Sequence, residues 1–145
     1  MEHYGRWICL QESLDASSLA ALRKSPVLLC ACCLIAVRHT TQEYAATIAP
    51  QLFSYAKTLL SRSLLITPQT IEFYQASIIL SLWSTTVGEE LLSIDSWLIT
   101  GFVLQHASSS DLFSHIGSVA ITKTPSTHEI TKWKLWNHLC LTHLQ

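Results

Sequence analysis

The sequence predicts an all-α fold: a bundle of about six helices arranged as helical hairpins, with one longer loop near 108–125. Three observations carry this expectation. Apolar residues recur at spacings of three and four through most of the chain. Ser25-Pro26 and Thr67-Pro68 each place a hydroxyl side chain before a proline, the pattern that caps and starts a helix. Alternating strand runs with glycine-rich turns, and repeats of fixed period, are not evident. The 145 residues form one expected domain, 1–145, long enough to remove roughly two thirds of the unfolded surface from water.

The elements follow in order. Residues 1–13 read as irregular, and a short helix is expected around Leu14 to Leu22. SPVLLCACCLIAVRHTT then opens a helix at Pro26 that reaches water at Arg38 and His39. Ala49-Pro50 is read as the start of the next helix, PQLFSYAKTLLSRSLLI. Its Leu52, Phe53, Ala56, Leu59, Leu60 and Leu64 form one apolar stripe. From Pro68, Ile71, Tyr74, Ile78 and Leu82 share a face that Phe73, Ile79 and Trp83 widen, which predicts a helix buried on most sides. Gly88, Glu89 and Glu90 read as a short turn. SIDSWLITGFVLQHA follows, with Ile94, Trp97, Leu98, Gly101 and Leu104 in period and Gly101 suited to a close crossing. Ser108 to Thr124 reads as loop, with weak strand character in SVAIT. The last helix starts at Thr127, where Ser126 and Glu129 have the offset of a capping box. Its predicted face is Ile130, Trp133, Asn137, Cys140 and Leu144.

Composition excludes several functions. Hydrophobic residues make up 49% and charged residues 13%, against about 25% charged in an average domain, so serine and threonine must wet much of the surface. A formal net charge of −1 supplies no basic footprint, and direct nucleic-acid contact by this segment is not expected. The start, MEHYGR, lacks the apolar core of a secretory signal. The run from Pro26 to Val37 is too short for a membrane helix, which needs about 20 apolar residues. KLWNHLCLTHLQ is still an apolar helical pattern at Gln145, and the chain is read as part of a longer protein.

Cys30, Cys32 and Cys33 invite a chemical reading. Cys30 and Cys33 form a C-x-x-C, but within the second turn of a helix or later, whereas redox pairs sit at a helix N-terminus that stabilises the thiolate. Apolar neighbours push a thiol pKa up. A metal site would have to join them to His138 and His143, roughly a hundred residues away and far outside a compact finger. The reading adopted is that these thiols are small buried hydrophobes, with Cys30 and Cys33 on one face, Cys32 turned away, and Leu29, Cys33 and Val37 lining a stripe. Cys9 and Cys140 stand alone, and an odd number of cysteines fits reduced thiols.

No catalytic pattern emerges. Gly5, Gly88, Gly101 and Gly117 form no phosphate loop, and a nucleophile elbow and an H-E-x-x-H pair are missing. His138 and His143 are separated by about 140° around a helix and do not share a ligand face. Trp83, Trp97, Trp133 and Trp136 are read as core and interface anchors. With His138 they are the candidate packing or interaction surface.

Taken in order, SPVLLCACCLIAVRH, APQLFSYAKTLL, YQASIILSLWSTT, SIDSWLITGFVLQHA and KLWNHLCLTHLQ resemble the fungal-specific transcription factor domain, the helical middle region of zinc binuclear cluster regulators. The resemblance runs from about Leu14 to Gln145. SLWSTT, IDSWL-TG and LWN-LCL-HL are most similar to fungal activators of secreted protease genes. The resemblance implies a nuclear, non-catalytic module whose partners are the rest of the regulator, co-regulator proteins and, in the intact protein, a second copy. It implies no membrane and no cofactor in this segment. Zinc belongs to a DNA-binding cluster that these five cysteines do not supply. The competing reading is a helical small-molecule or metal-binding protein that uses its Cys and His residues.

Overall fold

The computed structural model describes residues 16–83, 85–87, 90–114 and 126–144. They form helices α1 (Ala16–Lys24), α2 (Pro26–Val37), α3 (Gln42–Ser63), α4 (Ile71–Leu82), α5 (Ser96–Ser109) and α6 (Thr127–His143). A short hairpin, β1 (Thr85–Val87) and β2 (Glu90–Leu92), lies between α4 and α5. The fold is all-α, as the apolar periodicity predicts. SVAIT lies outside the described residues.

The centre is α4, which packs against α2 on one side and against α5 and α6 on the other. Every residue from Phe73 to Leu80 is buried. Within it the hydroxyl of Ser77 bonds to the Phe73 carbonyl at 2.8 Å, so a buried polar group finds its partner inside the helix. α2 and α3 form one hairpin and α5 and α6 the other, and α1 rests on α2. The short connection between Val37 and Gln42 favours antiparallel neighbours. The Cys30 thiol donates to the Leu52 carbonyl at 3.2 Å across that pair.

Several local expectations change. Pro50 does not start a helix but lies inside α3, which begins at Gln42. The missing N–H costs one backbone bond, while Ala49 and Ala56 are fully buried on the same helix, so packing outweighs the break. Pro68 does not start α4 either: the Thr67-Pro68 bond is cis, and the helix begins at Ile71. The Gln69 amide donates to the Ser63 and Ile66 carbonyls and satisfies the end of α3. Around the turn expected at Gly88–Glu90, Val87 pairs with Glu90 and Thr85 with Leu92. Gly88 and Glu89 lie outside the described residues. β-branched Thr85, Thr86 and Val87 suit an extended strand, and buried Leu92 anchors it.

The stripe predicted for α3 is observed: Ala56 and Leu60 are buried, and Leu52, Phe53, Leu59 and Leu64 pack against the core. Cys32 does not turn away. α2 is buried nearly all round, Cys32 is more enclosed than Cys33, and Leu29 is only half-buried. The face of α6 is also rotated from its predicted position. Leu135, Leu139 and Thr142 are buried, while Asn137, Ile130 and Leu144 are exposed, Leu144 at 82%. The capping box forms as predicted: Ser126 Oγ accepts from the Glu129 N–H at 3.3 Å, and the Ser126 N–H donates to Glu129 Oε2 at 2.7 Å. The predicted loop begins later than Ser108, since α5 continues to Ser109 and a turn folds Phe113 back onto Tyr74, ring centres 5.1 Å apart.

Candidate interaction surface

α5 begins where the Asp95 carboxylate accepts the Leu98 N–H at 2.8 Å. Between Ser96 and Ser109 it carries no Asp, Glu, Lys or Arg, so burial alone decides how it sits. Compact Ile99, Thr100, Val103 and Ala107 face the core. Trp97 and Leu98, predicted on the packing stripe, are instead 68% and 67% exposed. The reason lies in the packing: α5 has two apolar faces, and the one with smaller, β-branched residues fits against the crowded α4.

The outer face forms an open groove of about 780 Å³, lined by Trp97, Leu98, Gly101, Phe102, Leu104, Gln105, Ser108, Ser109 and His143. His143, from the last turn of α6, makes one wall. Its ring stacks on Trp97 with centres 5.6 Å apart and planes at 21°. Nδ1 lies 3.1 Å from the hydroxyl of buried Thr100. That hydroxyl already donates its proton to the Ser96 carbonyl at 2.6 Å, so in this contact it accepts from Nδ1–H. A β-carbon at Gly101 would stand 3.1 Å from His143 Cε1. Glycine lets the ring lie flat there, which is the close crossing expected at this position. Further along, His106 lies between Phe102 and Phe73, centres 5.2 and 6.1 Å away, and its Nε2–H donates to the Leu64 carbonyl. This ties the groove wall to the end of α3.

Of the sequence candidates, Trp97 lines the groove. Trp136 packs against the core edge with its ring 5.7 Å from Phe113. Trp83 closes α4, its backbone N–H donating to the Ile79 carbonyl at 3.0 Å, and is half-buried. Trp133 and His138 are half-buried on α6. Sequence reasoning passed over Phe102, Gln105 and the wall role of His143. The 97/101/105 and 98/102 spacings were the available signal for the α5 members.

The thiols behave as packing groups. Burial, with Cys33 adding to it, pushes the Cys32 thiol up to about 11, and burial raises Cys30 and Cys140 as well. Among the described residues no three His, Cys, Asp or Glu side chains converge as a metal site. No described helix is long and apolar enough to cross a membrane.

Fold and groove together define an all-α domain with an apolar groove on the outer face of α5 that carries no Asp, Glu, Lys or Arg. Over residues 1–145 the chain matches the family described as the transcriptional activator of proteases prtT middle domain, and it belongs to that family. It is 31% identical over 147 residues to the transcriptional activator of proteases prtT of Aspergillus clavatus, covering 100% of this chain and 23% of that protein. It is likewise 31% identical over 146 residues to an uncharacterized transcriptional regulatory protein of Schizosaccharomyces pombe, covering 99% and 27%. The prtT activator of Penicillium rubens is 29% identical over 151 residues, covering 99% and 21%. The chain thus spans about a quarter of the length of these relatives, which are transcriptional regulators. No solved structure matches it.

Proposed function

We propose that this middle domain is a non-catalytic regulatory module of a nuclear transcription regulator of protease genes, acting through packing against the rest of the regulator or a co-regulator. DNA reading and zinc are assigned to another region. The observation that carries the reading is the bare α5 face, with Trp97 and Leu98 about two-thirds exposed beside the His143 wall. Large apolar groups gathered on one uncharged face mark a surface that is covered in use. Metal or small-molecule binding is less favoured: family membership points to regulators, and an open groove encloses little of a small ligand.

Mechanistically, packing on this face biases an equilibrium between a restrained and an active regulator. A few kcal/mol of differential binding moves such an equilibrium across most of its range. The test places Trp97→Ser and Leu98→Glu in the intact regulator and reads a protease-promoter reporter. Both variants are expected to shift basal or induced output at least severalfold at unchanged protein level. Unaltered output under both conditions refutes the reading.

A further inference from the structure

Charge along the chain is unevenly placed. No lysine or arginine occurs between Arg62 and Lys123, yet Glu72, Glu89, Glu90, Asp95 and Asp111 all do. The groove on α5 lies inside this stretch. Its lining holds no Asp, Glu, Lys or Arg, and two exposed carboxylates flank α5, Asp95 at the helix start and Asp111 just past the end. Between them runs α5, 14 residues from Ser96 to Ser109, roughly 21 Å at a helical rise of 1.5 Å per residue. Lys132 and Lys134 precede Trp136 on α6, the residue that meets Phe113, whereas the far end of the helix meets Trp97 through His143. The Asp95 end is therefore the more distinctly acidic.

We infer that the groove docks an amphipathic helix of four to five turns with an apolar stripe for Trp97, Leu98 and Phe102 and with lysine or arginine at both ends. Two features select this occupant. The groove is long, open and apolar, the form that takes a helix face through anchors at i, i+3 or i+4, and i+7. Its ends are acidic, so the complementary segment is basic. A second copy fits less well: pairing α5 with itself antiparallel sets Asp95 against Asp111 at both ends, and pairing it parallel sets each carboxylate against its own kind. Both arrangements place like charges together. This inference rests on the regulatory reading for its context but concerns binding alone, so it is tested without a reporter.

The probe is a synthetic helical peptide of about 18 residues with leucines at helical spacing and two lysines at each end, compared with a version carrying glutamates there. Calorimetry with the 145-residue protein at low salt should show the lysine peptide binding at least tenfold more tightly than the glutamate peptide. The preference should shrink as salt rises. Asp95→Asn with Asp111→Asn, which keeps a capping side chain at 95, should reduce lysine-peptide binding about fivefold. Gln105→Lys, at an exposed groove position, should narrow or invert the preference, and Leu98→Glu should abolish binding of the glutamate peptide. Equal binding of the two peptides, or binding of neither, overturns the inference. So does a dimer in light scattering that Leu98→Glu dissociates, since the occupant is then a second copy. An unchanged reporter with intact charge-selective binding instead counts against the regulatory reading alone.

Discussion

α4 and α5 are neighbours of similar length and apolar content, yet they hold opposite positions in the molecule. α4 touches other helices on both sides and buries eight consecutive residues, Phe73 to Leu80. α5 buries only Ile99, Thr100, Val103 and Ala107 and leaves its two bulkiest early residues, Trp97 and Leu98, in solvent. α4's apolar residues serve stability. Those on the outer face of α5 remain exposed and contribute little to it in the free chain.

The largest expected effect breaks that contrast at its core. Phe73 is 2% exposed and packs edge-on against Tyr74, centres 5.6 Å apart. Phe73→Ala should cost about 3–5 kcal/mol, a transfer loss plus a cavity that the close-packed centre cannot refill. Trp97→Ala removes a larger side chain yet should cost under about 1 kcal/mol, because the ring is already mostly in water and loses chiefly its stack on His143. Urea denaturation of both variants checks the pair. A comparable midpoint shift in each would mean that the α5 face is part of the core.

The helices that could be read from sequence share a physical property. α2 and α4 are buried nearly all round, so an error in choosing the face costs nothing in recognising the element. α5 and α6 defeat face assignment because each carries two apolar sides, and periodicity cannot rank them. In α6 a stripe through Ile130, Trp133, Asn137, Cys140 and Leu144 competes with Leu135, Leu139 and Thr142, and the second avoids burying the Asn137 amide. The α5 choice turns on side-chain shape against α4, a property of the neighbour rather than of the helix. The groove was legible only in part. Trp97 stands out as an anchor, but His143 becomes a wall through Thr100, 43 residues earlier, and no local pattern announces that contact. Pro50 and Pro68 misled for the converse reason: tertiary packing retained one inside a helix, and a side-chain cap from Gln69 displaced the other from a helix start.

A smaller effect sharpens the same contrast within the cysteine cluster. Cys32 is 5% exposed, and burial pushes its thiol up to about 11, while neighbouring Cys33 is only half-buried. Cys32→Ser should cost about 1–3 kcal/mol, since a hydroxyl placed there must find a partner within the helix or go unsatisfied. Cys33→Ser should cost less than about 1 kcal/mol. Thiol titration of the native protein at neutral pH should label Cys33 well before Cys32, and equal rates would contradict the packing. The alkaline sign follows from the raised value. The protonated Cys32 stabilises the fold fully below the unfolded thiol pKa, and that contribution is lost as pH rises through the folded one.

The smallest effect lies at the start of α6, where the helix is tied down by its cap rather than by burial. The Ser126 backbone N–H, followed by the Ser126 side chain, holds the Glu129 carboxyl below its ordinary range. A depressed acid pKa means that the ionised form is favoured in the folded state. Its contribution is present above the unfolded glutamate pKa and lost as pH falls through the folded value. Glu129→Gln keeps a side-chain oxygen that can accept from the Ser126 N–H but removes the titrating group. Every other carboxylate is common to both proteins, so the difference between their acid limbs isolates Glu129. Wild type should exceed the variant in stability near neutrality and converge with it as the pH drops below the ordinary glutamate range. Hydrogen exchange at the Ser126 amide should show the same convergence, as its acceptor Oε2 takes up a proton. A constant gap at all pH values would mean that shape rather than charge makes this cap.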